Sequence, residues 1–319
     1  MPLDRRDFLR LTALSAAVAS LPAPAMAETV NGMPYRVLGR TGEKVSLLCL
    51  GGSHVGRASI PEDECVRMIR HALDEGVNFL DNAWQYNAGR SEELMGRALK
   101  DGYRDRAFLM TKNLGRTREE TIEQLETSLR RLDVDMIDLY QVHSIKFSDD
   151  PRAVYEDGVL DELLKAKDAG KIRYIGFTGH FITAPHREMI ERGFPWDSIQ
   201  MPLSCFDYHF ESFTQEVLPL AVEKEIGVIA MKTLGGSPGS VPRTGLVTVE
   251  EALRYAMSLP VSTVCSGMES MEELEQNIAI AKAFEPMPLA ERSELLARIA
   301  EEASDGRHEP HKTVWHQRA

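Results

Sequence analysis

The feature that most limits what this chain can become is an alternation. From Val45 onward, short runs rich in Val, Ile, Leu, Phe and Met take turns with stretches whose apolar residues recur at helical spacing. The strand-like runs are Val45–Leu50, Asn78–Leu80, Phe108–Thr111, Ile137–Val142, Tyr174–Phe177, Ser198–Leu203, Val228–Met231 and Thr263–Ser266. The helical stretches fall at 62–75, 91–100, 118–131, 159–169, 183–192, 214–225, 248–259 and 271–284. Parallel strands need a crossover of about helix length between them, so the pattern predicts a parallel sheet covered by helices. Eight such units within about 250 residues match a closed barrel. No G-x-G-x-x-G follows the first strand, where a doubly wound dinucleotide fold would carry it. The expectation is an α/β fold, a (β/α)8 TIM barrel. An N-terminal β-hairpin precedes it, with Tyr35–Leu38 and Lys44–Ser46 flanking Gly39–Gly42, and a C-terminal extra helix follows at 288–302.

The first 27 residues read as a targeting segment rather than as part of the barrel. Asp4-Arg5-Arg6-Asp7-Phe8-Leu9-Arg10 supplies a paired-arginine start, Leu11–Leu21 a short apolar run, and Ala25-Met26-Ala27 a cleavage pattern. The apolar run is about half the length that a membrane span requires. Expected, then, are a twin-arginine signal peptide at 1–27 cut after Ala27, export of the precursor to the periplasm, a barrel domain at 28–303, and a polar, loosely held tail at 304–319. A net charge of −12 with no basic block speaks against nucleic acid as a partner, and no stable membrane anchor is expected. Cys49, Cys65, Cys205 and Cys265 are scattered singly without the close spacing of a metal site, and read as core thiols, although an oxidising compartment would permit one disulfide.

A barrel carries its chemistry at the carboxyl ends of its strands. Those ends supply His54, Asp81, Lys112, His143, His180, Gln200, Lys232 and the Ser266-Gly267 pair. An acid, an ammonium and an imidazole from three neighbouring strands, with Tyr86 on the adjoining loop, make a proton-transfer group. Lys112 closes an apolar strand and needs a counter-charge, which Asp81 can supply. A cation nearby lowers a phenol's pKa toward the range where Tyr86 can give and take a proton. Ser91 reads as the N-cap of the helix that follows.

In these positions the sequence resembles the aldo-keto reductase family. The resemblance rests on Gly76–Asp81 with Tyr86, Gly89–Leu94, Thr111-Lys112, Leu139–His143, Ile175–Thr178 and Gly227–Ala230, and extends in order from Tyr35 to Phe284. It implies an NAD(P)H-dependent enzyme interconverting a carbonyl (an aldehyde or ketone, sugar-like ones included) and an alcohol by hydride transfer. In that scheme Tyr86 is the general acid, tuned by the Lys112–Asp81 pair, and His143 orients the carbonyl. By the same resemblance the cofactor, NADPH or NADH, lies across the barrel mouth. Its contacts would be Thr178, Gln200, Met231, Lys232, Leu234, Gly235, Ser266, Gly267, Ser270, Glu273 and Asn277. Departures are Gly179 where many members have Asn, Met231-Lys232 in place of an aromatic and a small polar residue, and Glu269-Ser270 where NADPH users carry Arg or Lys. Both nucleotides stay open on that basis. Position on the mouth nominates His54, Trp84, Phe147 and His180 for the substrate pocket.

Three other readings compete. Gly235–Gly239 matches G-x-S-x-G, but Pro238 has no N–H for the oxyanion hole that such a serine requires. A metal-dependent barrel hydrolase would use Asp81, His143, His180 and His54 as ligands, although no H-x-H or H-E-x-x-H marks a site and Lys112 would sit beside the cation. The third is a non-catalytic nicotinamide-binding barrel.

Overall fold

A computed structural model describes residues 25–236 and 240–313. Residues 1–24 of the expected signal segment, Ser237-Pro238-Gly239 and residues 314–319 lie outside the described residues. The first three strands, β1 (Met26–Val30), β2 (Met33–Val37) and β3 (Lys44–Ser46), form a small antiparallel sheet. The next eight, β4 (Leu48–Gly51), β5 (Phe79–Asp81), β6 (Phe108–Asn113), β7 (Ile137–Val142), β8 (Ile172–Thr178), β9 (Ser198–Pro202), β10 (Gly227–Met231) and β11 (Thr263–Ser266), close into a barrel. Every neighbouring pair in it is parallel, and β11 returns to β4 with Cys265 in register with Cys49. The (β/α)8 expectation therefore holds, with the hairpin at its head and the helix Leu289–Ala303 at its end.

Two apolar layers hold the barrel. Its interior is filled by Cys49, Phe79, Phe108, Met110, Leu139, Ile229 and Cys265, joined by Leu38 and Val45 from the hairpin, which thereby plugs the amino-terminal end. Gly39 makes that plug possible. It sits at φ +49°, and a Cβ there would stand 2.3 Å from the Gly227 nitrogen. The second layer lies between the strands and the surrounding helices, whose apolar faces point inward.

Several local expectations change. The run Val45–Leu50 is two strands in two sheets, because the chain turns at the fully buried Leu47 to pass from hairpin to barrel. The stretch 214–225 is two helices, Phe213–Glu216 and Leu218–Glu223, parted at Val217. Pro219 lies in the first turn of the second helix, where its missing N–H does no harm, whereas within one continuous helix it would break the ladder. Asn31 (φ 50°) and Gly32 (φ 82°) form a tight left-handed turn that adds β1 to the hairpin. Met26 already pairs with Arg36, so a cut after Ala27 would remove the first two residues of this exposed strand.

The loosely held tail is also corrected. Residues 304–313 dock on the barrel, and Lys312 is fully buried in ion pairs with Asp207 (2.7 Å) and Glu309 (3.1 Å). Asp207 also accepts hydrogen bonds from the Phe213 and Thr214 N–H groups and from the Thr214 hydroxyl. A polar segment is thus tied down by charge, where a search for apolar periodicity finds nothing.

Candidate active site

The loop after β5 presents the central phenol. Asn82 N–H donates to the Met110 carbonyl and Trp84 N–H to the Lys112 carbonyl, both at 2.9 Å, so the loop leans over β6. Tyr86 opens a short turn in which Asn87, Ala88 and Gly89 are all left-handed (φ 49°, 55° and 98°). For Ala88 that conformation is strained. It is held by Asn87, whose amide donates to the Ser53 carbonyl and the Ser91 hydroxyl. Ser91 is accordingly not the N-cap expected of it: the helix Arg90–Ala98 starts after Gly89, and Ser91 is buried beneath it.

Lys112, at 1% exposure, has three N–H donors and uses each of them. They go to the Asp81 carboxylate, the Asn82 carbonyl (2.6 Å) and the Tyr86 hydroxyl (3.3 Å). His143 enters from the end of β7, its N–H bonded to the Asn113 carbonyl, and its ring stands edge-on to Tyr86 at 5.8 Å between centroids. Asp81, Tyr86, Lys112 and His143, the four residues expected from strand ends and loop, are thus brought together.

Burial decides the protonation of this group. It pushes the Tyr86 phenol well up, outweighing the opposing pull of Lys112. The lowering expected from the ammonium alone is therefore outweighed by burial, and Tyr86 stands as a protonated donor. Lys112 is held charged: burial works against it, but the adjoining Asp81 carboxylate more than compensates. His143 is pushed far down by burial and then by Lys112 and His180, so its imidazole is neutral at physiological pH. With one Asp81 oxygen on Lys112 and the other accepting from the Cys265 thiol at 3.4 Å, the metal-hydrolase reading loses its only carboxylate.

The remaining mouth residues fall into two groups. On one side, Gln200 is buried with its Oε1 unpartnered, Thr178 is buried at the end of β8, Met231 is half-buried, and Lys232 is left-handed at φ 55°. Leu234 is half-buried and Gly235 buried on the loop that follows. Beside β11, Asn277 donates to the Ser266 hydroxyl (3.0 Å), and Ser270 caps the helix Met271–Lys282 by accepting from the Glu273 N–H. Glu273 in turn accepts from the Glu269 N–H at 2.7 Å. His54, nominated for the substrate pocket, stands against this group: a Cβ on Gly267 would lie 2.0 Å from its Nδ1. Its neighbouring charges are Arg57, Glu269, Lys232 and Glu273, and Arg57 pairs with Glu269 at 2.5 Å.

On the other side, Trp84 is half-buried with its indole N–H unpartnered and Arg131 above its ring at 5.7 Å. His180 lies against Phe181 and, at 6.0 Å, against His311 from the docked tail. Phe147 is half exposed, further out on the loop after β7. Sequence reasoning missed His311 because it lies beyond the last strand–helix unit, and it missed Cys265 by reading it as core.

The arrangement offers a protonated phenol, a fixed ammonium and a neutral imidazole at the carboxyl ends of the strands, where the unpartnered Gln200 oxygen suits an amide N–H of a bound molecule. A nicotinamide carboxamide is such a group, so the residues fit the cofactor. Known proteins give the same reading. Residues 47–242 match the model of the aldo/keto reductase family. The chain is 32% identical to aldo-keto reductase YhdN of Bacillus subtilis over 216 residues, 63% of this chain and 62% of that protein. It is 28% identical to L-galactose dehydrogenase of Arabidopsis thaliana over 288 residues, 79% of this chain and 89% of that one. Among solved structures, the holo form of an aldo-keto reductase from Bacillus halodurans superposes with a TM-score of 0.71 at 28% identity, over 87% of this chain and 99% of that one. With the closed barrel and the Tyr86 cluster at its mouth, these matches make the chain a member of the aldo-keto reductase family, an NAD(P)-dependent oxidoreductase working between carbonyl and alcohol.

Proposed function

We propose that Asp81, Tyr86, Lys112 and His143 carry the proton side of carbonyl reduction. The observation that carries this reading is the complete use of Lys112, whose three donors join Asp81, the loop backbone and Tyr86 in one rigid unit. A bound reduced nicotinamide supplies the hydride. The Tyr86 hydroxyl donates its proton to the carbonyl oxygen as negative charge develops there, and Lys112 steadies the phenolate left behind. Asp81 holds Lys112 in place, and the neutral His143 orients the carbonyl. Gln200 would hold the carboxamide, with Thr178 and Met231 beside the ring. Lys232, Leu234, Gly235, Ser266, Gly267 and Ser270 would line the phosphates, and Glu273 and Asn277 the adenosine end.

Trp84, His180 and Phe147 are assigned to the substrate. An indole N–H and imidazoles at one mouth favour a hydroxylated, sugar-like carbonyl, and one relative is named for dehydrogenating L-galactose. Arg57 is paired with Glu269, and that carboxylate would repel a 2′-phosphate but can accept hydrogen bonds from a ribose diol. NADH is favoured over NADPH on this ground. The paired arginines and the A-x-A pattern support export through the twin-arginine pathway to the periplasm, a route used by proteins folded with their cofactor. The test is oxidation of 4-deuterated NADH and NADPH against a panel of aldoses and simple aldehydes. Deuterium on the product carbinol carbon is expected; protein that binds nucleotide yet transfers none across the panel would refute the reading.

A further inference from the structure

The Asp81 carboxylate has two oxygens, and the proton-transfer group described so far uses one. The other accepts from the Cys265 thiol, Sγ to Oδ2 3.4 Å, across 184 residues of chain. Cys265 lies on β11 and Asp81 on β5, with β4 between them. The residue of β4 in register with Asp81 is Gly51, and a Cβ on it would lie 2.8 Å from the Ser266 carbonyl oxygen of β11. Below it, Cys49 stands in register with Cys265. Both belong to the apolar barrel interior with Phe79, Met110 and Ile229, and both are free thiols.

We infer that Cys265 is a positioning residue of the reaction, its thiol fixing the second oxygen of Asp81 so that Asp81 in turn fixes Lys112 and the Tyr86 hydroxyl. The chemistry agrees. A thiol beside a carboxylate is useful only while it keeps its proton, and the neighbouring Cys49 thiol, burial and the Asp81 charge all push the Cys265 thiol up. Such a thiol is a donor and not a nucleophile. Burial likewise raises Cys49. Without this donor an Asp81 oxygen faces the apolar interior unpaired. The carboxylate then turns or gathers its charge toward Lys112, and the Tyr86 phenol becomes harder to ionise.

The inference rests on the catalytic reading proposed above. Its test compares full-length Cys265→Ala, Cys265→Ser and Tyr86→Phe, each saturated with NAD+ or NADP+, by kcat, KM and the pH profile of alcohol oxidation. Cys265→Ala should lower kcat by about tenfold, the effect of one hydrogen bond to a charged group, with little change in KM. It should also move the limb governed by Tyr86 to higher pH, and Cys265→Ser, which keeps a donor, should restore both. If Cys265→Ala does not fold, Cys265→Val, which fills the space without a donor, is held to the same two results. A folded Ala or Val variant with wild-type kcat and pH limb would overturn the inference, and so would a Ser variant as slow as Ala with an unmoved limb. If Tyr86→Phe is inactive while Cys265→Ala matches wild type, this inference alone falls. If Tyr86→Phe turns over normally, the catalytic reading falls and takes it along.

Discussion

Replacing Lys312 with Met tests how the last described segment is held. The Lys312 ammonium lies between Asp207 (2.7 Å), the Phe210 carbonyl (2.7 Å) and Glu309 (3.1 Å), and both members of the Asp207 pair are 0% exposed. Methionine fills similar space and removes the charge. Breaking one side of a buried ion pair costs roughly 3–5 kcal/mol. Here the lower end applies, because Asp207 keeps the donors from Ser212, Phe213 and Thr214, and Glu309, already pushed up to about 7, can take a proton. A loss of about 3 kcal/mol corresponds to a fall in Tm of roughly 6–12 °C in a domain of this size. Calorimetry would read it, and limited proteolysis well below Tm should show cleavage within 304–313 in the variant alone. The substrate KM should rise as His311 leaves His180, while nucleotide affinity stays unchanged. A variant that melts within about 1 kcal/mol of wild type and resists the protease would refute the view that this ion cluster holds the segment.

Other expectations follow from the same geometry. The Glu309 carboxyl is raised from 4.5 to about 7 in the folded protein, chiefly by burial, so the folded state binds the extra proton between those values. Stability should therefore fall as pH rises through that window, and Glu309→Gln should gain about 2–3 kcal/mol at pH 8 and nothing near pH 4; denaturant melts at the two pH values decide, and an equal effect at both would contradict it. Glu269→Ala removes the carboxylate that would repel a 2′-phosphate and should tighten NADPH relative to NADH, read as the ratio of Kd values by fluorescence titration, with an unchanged ratio as the contrary result. Thiol titration of unfolded, unreduced protein should find four free cysteines, since all four are buried and unbridged; two would show a disulfide.

Much of the barrel was legible because its strands are buried on both faces and read as apolar runs, as in Ile137–Val142 and Thr263–Ser266, where reading and structure agree residue for residue. Asp81, Lys112 and His143 stood out as polar residues at the ends of such runs. Tyr86 needed its loop, and its protonation needed the burial that no sequence displays. Cys265 looked like core because it is core, and its bond to Asp81 joins residues 184 apart in the chain on strands that only the closed barrel brings near each other. The tail was misread for a related reason, since Asp207 and Lys312 find each other only after the barrel has closed. Asn31-Gly32 was a missed signal: that dipeptide is a strong marker of a tight hairpin turn.

The central claim is that the Tyr86 hydroxyl supplies the proton during hydride transfer, and Tyr86→Phe tests it most directly. Turnover of the variant should fall by roughly 10²–10⁴-fold, while its Kd for reduced nucleotide, measured on the same preparation, stays near that of wild type. Turnover close to wild type would contradict the claim.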